Sequence, residues 1–158
     1  FEPRLLRYTM RFLPEQVARE VVQDTFLKLW QIDASFTEDR VAQWLYTVCR
    51  NRALDILKQE KRMVPAGAHL DDLVSAFDPA AGLEARERHE LVVSFLRLLS
   101  EKEREIVRLK FQDGLKYSQI AAITGLSPSH VGVIIHNAVL HLRQKIAARA
   151  KAAGKEAL

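Results

Sequence analysis

Apolar residues recur at helical spacing along most of the chain. Two neighbouring rows at i, i+4 intervals run through residues 15–31: Val17, Val21, Thr25 and Leu29 in one, and Val22, Phe26 and Trp30 in the other. Adjacent rows of this kind give a helix one wide face that turns toward a core. The pattern therefore predicts a helix over residues 15–31, with Pro14 as a suitable entry residue.

A second long helix is predicted from Val41 to Arg62. Its buried row is apolar except for Arg52 and consists of Val41, Trp44, Leu45, Val48, Cys49, Arg52 and Ile56. Its other side carries a polar ridge: Asn51, Asp55, Lys58, Gln59 and Arg62. Cations on such a ridge can meet phosphates, and amide or carboxylate groups can reach an exposed base edge, although a solvated face would look the same. Trp44 and Tyr46 adjoin the ridge, where aromatic rings can stack on unpaired bases, but Trp44 also belongs to the buried row.

Residues 63–83 interrupt the helical pattern. Four helix-breaking residues punctuate them, and they contain three aspartates and no basic residue: Pro65, Gly67, Pro79 and Gly82, with Asp71, Asp72 and Asp78. We expect a flexible acidic linker here. Helical spacing resumes over 83–99, with Leu91, Phe95, Leu98 and Leu99 facing inward. No segment alternates with a period of two, so the fold class is all-α: two small helical domains, 1–62 and 84–158, joined by the flexible linker 63–83.

The next helix has its own start and stop signals. Ser100 and Glu103 have the spacing of a capping box, in which each side chain bonds the other residue's backbone amide. Gly114 suits the end of this helix, which is predicted to stop near Gln112.

A helix-turn-helix is predicted over residues 117–136. Its first helix has Ile120 and Ala121 inward and reaches a turn at Gly125, and a Ser-Pro pair at 127–128 starts its second helix. The core-facing residues of the second helix are predicted to be Val131, Ala138 and either Ile134 or Ile135. Its exposed residues are predicted to be Ser129, His130, Val133, His136, Asn137 and Leu140. The second domain is therefore a four-helix domain without a wing, whose last helix fits a DNA major groove, although a simple helical hairpin shares this spacing.

The charge distribution favours a polyanionic partner. The net charge is +4. Residues 1–62 hold 11 basic and 9 acidic residues. Residues 63–83 hold three acidic residues and no basic one, and residues 84–158 hold 13 basic and 8 acidic residues. Two basic blocks separated by an acidic connector suggest nucleic acid touched at two places, and a mildly basic solvated surface is the alternative. A basic run follows the helix-turn-helix, as either a DNA contact or a solvated helix end: Arg143, Lys145, Arg149, Lys151 and Lys155.

Composition excludes several other classes. The single cysteine, Cys49, excludes an internal disulfide and a multi-cysteine zinc site and fits a cytoplasmic location, and we expect it in the core. The five histidines are scattered, and His136 and His141 lie five residues apart rather than on one helix face, so no catalytic, metal or cofactor site is predicted. No run approaches the roughly 18 apolar residues of a membrane span, so membrane insertion is not expected. The first residues look like the middle of an amphipathic helix, so we expect the natural protein to start earlier.

Three segments in a fixed order carry a family resemblance: EVVQDTFLKLW at 20–30, QWLYTVCRNRALD at 43–55, and LSEKEREIV at 99–107 followed by the helix-turn-helix. The chain resembles the extracytoplasmic-function (ECF) sigma factors, the small two-domain initiation factors of bacterial RNA polymerase. The resemblance covers nearly the whole chain. It implies a protein that is not an enzyme, binds core RNA polymerase, directs it to specific promoter DNA and helps to open that DNA. The usual regulator in this family is an anti-sigma factor, so such a partner is expected.

The resemblance also implies a role for each segment. Polymerase binding falls to Gln23, Asp24, Thr25, Lys28 and Leu29. Binding of the minus-ten element falls to Arg50, Asn51, Asp55, Lys58 and Arg62, with the loop 33–40 capturing a flipped base. Reading of the minus-thirty-five duplex falls to Ser127, Ser129, His130, Val133, His136 and Asn137.

The helix-turn-helix departs from the family in charge. Family members usually carry Lys or Arg at the positions of Gly132, Ile134, Asn137 and Val139, and often Glu at positions 118 and 119.

The alternative function is a stand-alone helix-turn-helix transcriptional regulator, which would bind duplex DNA without polymerase. An enzyme acting on nucleic acid would need a metal or nucleophile cluster.

Overall fold

The computed structural model describes the backbone of residues 1–32, 37–63 and 83–156, and the side chains of 1–32, 37–59 and 90–148. Every regular element in these ranges is helical, which confirms the all-α prediction: α1 (Glu2–Thr9), α2 (Glu15–Gln31), α3 (Glu38–Met63), α4 (Leu83–Leu96), α5 (Glu101–Phe111), α6 (Tyr117–Thr124) and α7 (Pro128–Glu156). The chain divides into two compact units, mainly of residues 1–76 and mainly of residues 77–158. Of the linker predicted over 63–83, residues 64–82 lie outside the described residues. The domain boundaries 1–62 and 84–158 stay predictions.

In the first unit, α1, α2 and α3 pack around one core. Its buried side chains include Leu5, Tyr8, Ala18, Val21, Val22, Leu45, Tyr46, Cys49 and Ala53. The Tyr8 ring lies 5.0 Å from that of Tyr46 and 5.4 Å from that of Phe12, measured between centroids. The helix α2 has its predicted bounds, whereas α3 begins three residues early, because the carbonyl of Thr37 accepts a hydrogen bond from the amide of Val41 at 3.0 Å.

Three predictions for the first unit are wrong. Trp30 is 91% exposed instead of facing inward. Residues four apart advance 400° around a helix, so the row Val22, Phe26, Trp30 turns 40° further from the core at each step. Arg52 is exposed instead of lying in the buried row of α3. Tyr46 is 1% exposed, so its ring belongs to the core and is not available to stack on a base.

The second unit contains α4, α5, most of α6 and α7. Phe95, Leu99, Val107 and Ala138 form a buried cluster, against which Leu96 and Leu142 also pack. The helix α4 ends at Leu96, three residues before the predicted end. Leu98 therefore lies in the following turn and is 58% exposed, so the inward position predicted for it is wrong.

The capping box of α5 is confirmed. The backbone amide of Ser100 donates to Glu103 Oε2 at 2.9 Å, and the amide of Glu103 donates to Ser100 Oγ at 3.3 Å. The Ser100 hydroxyl also donates to Glu103 Oε2 at 2.8 Å, and this bond together with the one from the Ser100 amide lowers the pKa of the Glu103 carboxyl. Two otherwise unpaired amides of the first turn are thereby satisfied, which stabilises the helix start by about 1 kcal/mol.

The helix-turn-helix is present as predicted. Gly125 has a φ of +71°, a left-handed conformation that ends α6. Ser127 Oγ accepts from the amide of His130 at 3.2 Å and so caps α7. The inward-facing residues include Ile120, Ala121, Val131, Ile135 and Ala138. Of the two isoleucines left open, Ile135 is the buried one, and Ile134 is only partly buried.

Candidate binding surfaces

The predicted polymerase-binding residues lie on both sides of α2. Gln23, Asp24 and Lys28 are exposed, and Leu29 is partly buried. Thr25 is only 2% exposed, and its hydroxyl donates to the carbonyl of Val21 at 2.7 Å. Because its side chain does not reach the surface, Thr25 can hold α2 in place but cannot itself touch a docked partner.

Two further residues belong to the exposed face of α2. Leu27 is 63% exposed and Trp30 is also exposed. By helical register Leu27 lies between Gln23 and Lys28, and Trp30 lies about 20° on the other side of Gln23. Large apolar side chains grouped on a surface mark sites of protein–protein contact. The sequence indicated that Leu27 is exposed, because it belongs to neither predicted core row. It did not indicate this for Trp30, whose i+4 spacing from Phe26 placed it in a core row.

The predicted minus-ten residues form the outer side of α3. Asn51, Asp55 and Lys58 are exposed on successive turns, and Arg50 is partly buried. The side chain of Arg62 and the loop residues 33–36 lie outside the part of the chain that is described. The ridge therefore presents an amide, a carboxylate and an ammonium group in one row.

Cys49 lies on the opposite side of α3, fully buried as expected. Burial raises the pKa of its thiol, and hydrogen bonds to Thr25 and Thr9 oppose that shift only in part. A thiol held protonated in a core is a poor nucleophile.

At the cap of α7 and along its first half, all the predicted minus-thirty-five residues are exposed: Ser127, Ser129, His130, Val133, His136 and Asn137. Residues 128–142 contain no Lys, Arg, Asp or Glu. This face therefore offers hydroxyl, imidazole, amide and apolar groups in place of formal charge.

Two of the departures from the family have a structural role. A Cβ atom at Gly132 would lie 3.5 Å from the Tyr117 ring, so this ring covers α7 where a side chain would otherwise project. The Lys110 ammonium lies 5.1 Å from the centroid of the same ring. The Gln119 side chain accepts from the backbone amide of Lys116 at 2.8 Å and so caps the first turn of α6.

In the described parts of the chain, no three His, Cys, Asp or Glu side chains are grouped so that they could hold a metal ion. No single helix there is long and apolar enough to cross a membrane, and the pair Tyr117–Thr124 and Pro128–Ala148 meets these criteria only together, across a 105° bend.

Comparisons with known proteins match both units. Residues 1–63 match the model for sigma-70 region 2, and residues 89–142 match the model for sigma-70 region 4. The chain belongs to the sigma-70 family. The ECF RNA polymerase sigma factor RpoE of Cereibacter sphaeroides is 29% identical over 133 residues, which are 80% of this chain and 71% of that protein. The ECF sigma factor SigM of Bacillus subtilis is 26% identical over 132 residues, which are 82% and 79% of the two chains.

The fold of this sigma factor also matches a solved structure. The sigma factor RpoE of Bartonella quintana, in complex with the anti-sigma factor NepR, superposes with a TM-score of 0.64 over 92% of this chain and 91% of its own, at 21% identity. The ECF resemblance is thus confirmed. The chain is a transcription initiation factor that binds core RNA polymerase and directs it to promoter DNA, and the alternative of a stand-alone regulator is not supported. Proteins of this family are not enzymes.

Proposed function

We propose that three exposed helix faces divide the work of this sigma factor. The face of α2 binds core RNA polymerase, the ridge of α3 binds and opens the minus-ten element, and the N-terminal half of α7 reads the minus-thirty-five duplex. The observation that carries the proposal is that each face is exposed while the opposite side of the same helix is buried in a core.

The polymerase contact is built around Leu27 and Trp30. Both side chains are exposed and apolar, and Gln23, Asp24 and Lys28 are exposed polar residues on the same helix. An apolar centre with a polar rim is the usual composition of a protein–protein interface, and tryptophan is among its strongest anchors. Thr25 supports this face from beneath, through its bonds in the core.

The minus-ten contact uses the ridge of α3. Asn51 and Asp55 lie one turn apart, so they can bond the edge of a base that has left the duplex, while Lys58 and residues 50 and 62 supply positive charge for phosphates. Unstacking a base step requires a few kcal/mol, which contacts to the extruded base and its phosphates offset.

The minus-thirty-five contact uses groups that bond base edges without charge. Asn137 and the hydroxyl of Ser129 can donate to or accept from base edges, and Val133 can contact a thymine methyl group. His130 and His136 add donors or acceptors on the same side of α7.

Three further properties belong to the proposal. The chain catalyses no reaction itself, it acts in the cytoplasm, and an anti-sigma factor binds it and masks its polymerase- and DNA-binding faces. The anti-sigma partner is supported by the fold match, since the matched sigma factor is bound to the anti-sigma factor NepR.

Reconstituted transcription with the full chain and core polymerase tests the proposal. We expect the chain to bind core polymerase, and the holoenzyme to give run-off transcripts from the DNA fragments that it captures; sequencing these fragments would identify the promoter. A chain that binds no core polymerase, yet binds duplex DNA alone as a dimer on two half-sites, would contradict the proposal.

A further inference from the structure

The helix α7 continues well beyond the core of its unit. Of the α7 side chains that are described, Leu142 is the last that packs against the cluster of Phe95, Leu99, Val107 and Ala138. From residue 143 to residue 148 every side chain is exposed, and the helix runs on to Glu156. At 1.5 Å per residue, residues 143–156 add about 21 Å of helix. We call them the α7 extension; they lie outside the residues 89–142 that match sigma-70 region 4.

The α7 extension is strongly basic, in contrast to the part of the helix before it. Residues 128–142 carry no Lys, Arg, Asp or Glu, whereas residues 143–156 carry five basic residues and one acidic residue: Arg143, Lys145, Arg149, Lys151, Lys155 and Glu156. The helix dipole favours cations only within the last turn. It therefore does not account for positions 143, 145 and 149, which lie further from the C-terminus of the helix.

Helical register divides the extension into two sides. At 100° per residue, positions 143, 147 and 151 continue the exposed row of Ser129, Val133, His136 and Leu140. Positions 145 and 149 continue instead the buried row of Val131 and Ala138. Lys145 is nevertheless exposed. The core therefore covers this row at Val131 and Ala138 but does not cover it at position 145.

We propose that the α7 extension binds the phosphate backbone of duplex DNA next to the segment that α7 reads, through Arg143 and Lys151. The inference rests on the proposed assignment of the exposed α7 face to the minus-thirty-five duplex. Two observations carry it: the row continues without interruption from the reading face, and positive charge begins where the packing of α7 ends. Duplex DNA carries one negative charge for about every 1.7 Å of its axis, and its major groove is about 12 Å wide. A helix lying in that groove therefore brings its following turns against the bordering phosphates.

This contact supplies affinity that does not depend on sequence. The reading face itself has no Lys or Arg, so its base contacts lack the phosphate attraction that dominates most protein–DNA affinity. Along this one helix, the uncharged reading face therefore provides the sequence preference, and the α7 extension provides the salt-dependent affinity for phosphates.

Two matched double variants test this proposal in the full chain bound to core polymerase. Arg143→Gln with Lys151→Gln removes two charges from the side of the reading face, and Lys145→Gln with Arg149→Gln removes two from the other side. Glutamine preserves helix propensity, which far-UV circular dichroism verifies. Affinity for promoter DNA is measured between 50 and 200 mM salt. We expect the first pair to weaken binding about tenfold and to lower the salt slope by about 1.8, at about 0.9 per lost phosphate contact. The second pair is expected to have less than half of that effect.

Equal losses from the two pairs would show a diffuse charge effect and overturn the proposal, as would no loss from either. A loss of core polymerase binding by the first pair alone would assign the extension to a protein surface instead. A third variant, Val133→Ala with Asn137→Ala, separates this inference from the proposed function. If that variant loses sequence preference while the first pair changes nothing, the reading face stands and the role of the extension fails.

Discussion

The thiol of Cys49 donates a hydrogen bond to the hydroxyl oxygen of Thr25 over 3.3 Å and so joins α3 to α2 within the core of the first unit. The same hydroxyl donates to the carbonyl of Val21. Both side chains are buried, and these two hydrogen bonds satisfy polar atoms that water cannot reach. The contact holds α2 with its polymerase-binding face outward and α3 with its polar ridge outward.

The state of this thiol predicts a dependence of stability on pH. Burial raises the pKa of Cys49 above its ordinary value of 9.0. The unfolded chain therefore loses the thiol proton more readily than the folded one, so this contribution to stability is fully present below pH 9.0 and is lost as the pH rises through the folded-state pKa. The free energy of unfolding, measured with urea, should fall between pH 7.5 and pH 10. This fall should be smaller for Cys49→Ala than for the unmodified chain. An identical decrease in the two proteins would contradict this prediction.

The exposed face of α2 predicts a selective loss of polymerase binding. Asp24→Arg with Trp30→Ala reverses a charge and removes an apolar anchor, and we expect it to weaken binding of core polymerase at least tenfold. Both positions are exposed, so the free energy of unfolding should change by less than about 1 kcal/mol.

A matched control for the α2 variant lies on α4. Glu90→Arg with Val92→Ala makes the same kinds of change at two exposed helical positions. Affinity for fluorescently labelled core polymerase should stay unchanged in this control. If the two double variants weaken binding to the same extent, α2 does not hold the polymerase contact.

The ridge of α3 predicts a defect in promoter opening. Asn51→Ala removes an exposed amide, and we expect it to slow opening of the minus-ten element roughly tenfold, a loss of about 1.4 kcal/mol. Permanganate reactivity of unpaired thymines measures this step. Asn137→Ala makes the same chemical change on α7 and should reduce preference for the minus-thirty-five sequence with opening preserved. A loss of core polymerase affinity by Asn51→Ala, like that expected for the α2 variant, would show that the division of roles is incorrect.

Two glycines of the helix-turn-helix predict opposite effects of one substitution. Gly132 lies inside α7, and a Cβ atom there would meet the Tyr117 ring at an ordinary van der Waals distance of 3.5 Å. Gly132→Ala should therefore stabilise the chain by up to about 1 kcal/mol through helix propensity. Gly125 has a φ of +71°, so Gly125→Ala should destabilise it by about 1–2 kcal/mol. Thermal unfolding should move in opposite directions, and a decrease for Gly132→Ala would show that Tyr117 cannot accommodate the methyl group.

Much of this protein was determined by local sequence. The bounds of α2 and α6 and the capping box of α5 agree with prediction, because start signals, turn glycines and apolar spacing act within a few residues. The helix-turn-helix and the family resemblance were also visible, since each rests on contiguous motifs. The predicted site residues lie on α2, on α3 and on or just before α7, and their roles stay predictions.

The tertiary structure decided which sides of these helices are covered. Trp30 and Leu98 fit the apolar spacing yet are exposed, whereas Tyr46 and Thr25 are buried despite their hydroxyl groups. The contact of Tyr117 with Gly132 and the end of core packing at Leu142 likewise depend on residues distant along the chain. Periodicity can determine that a helix has an apolar side, but the depth and extent of its burial are set by the helices packed against it.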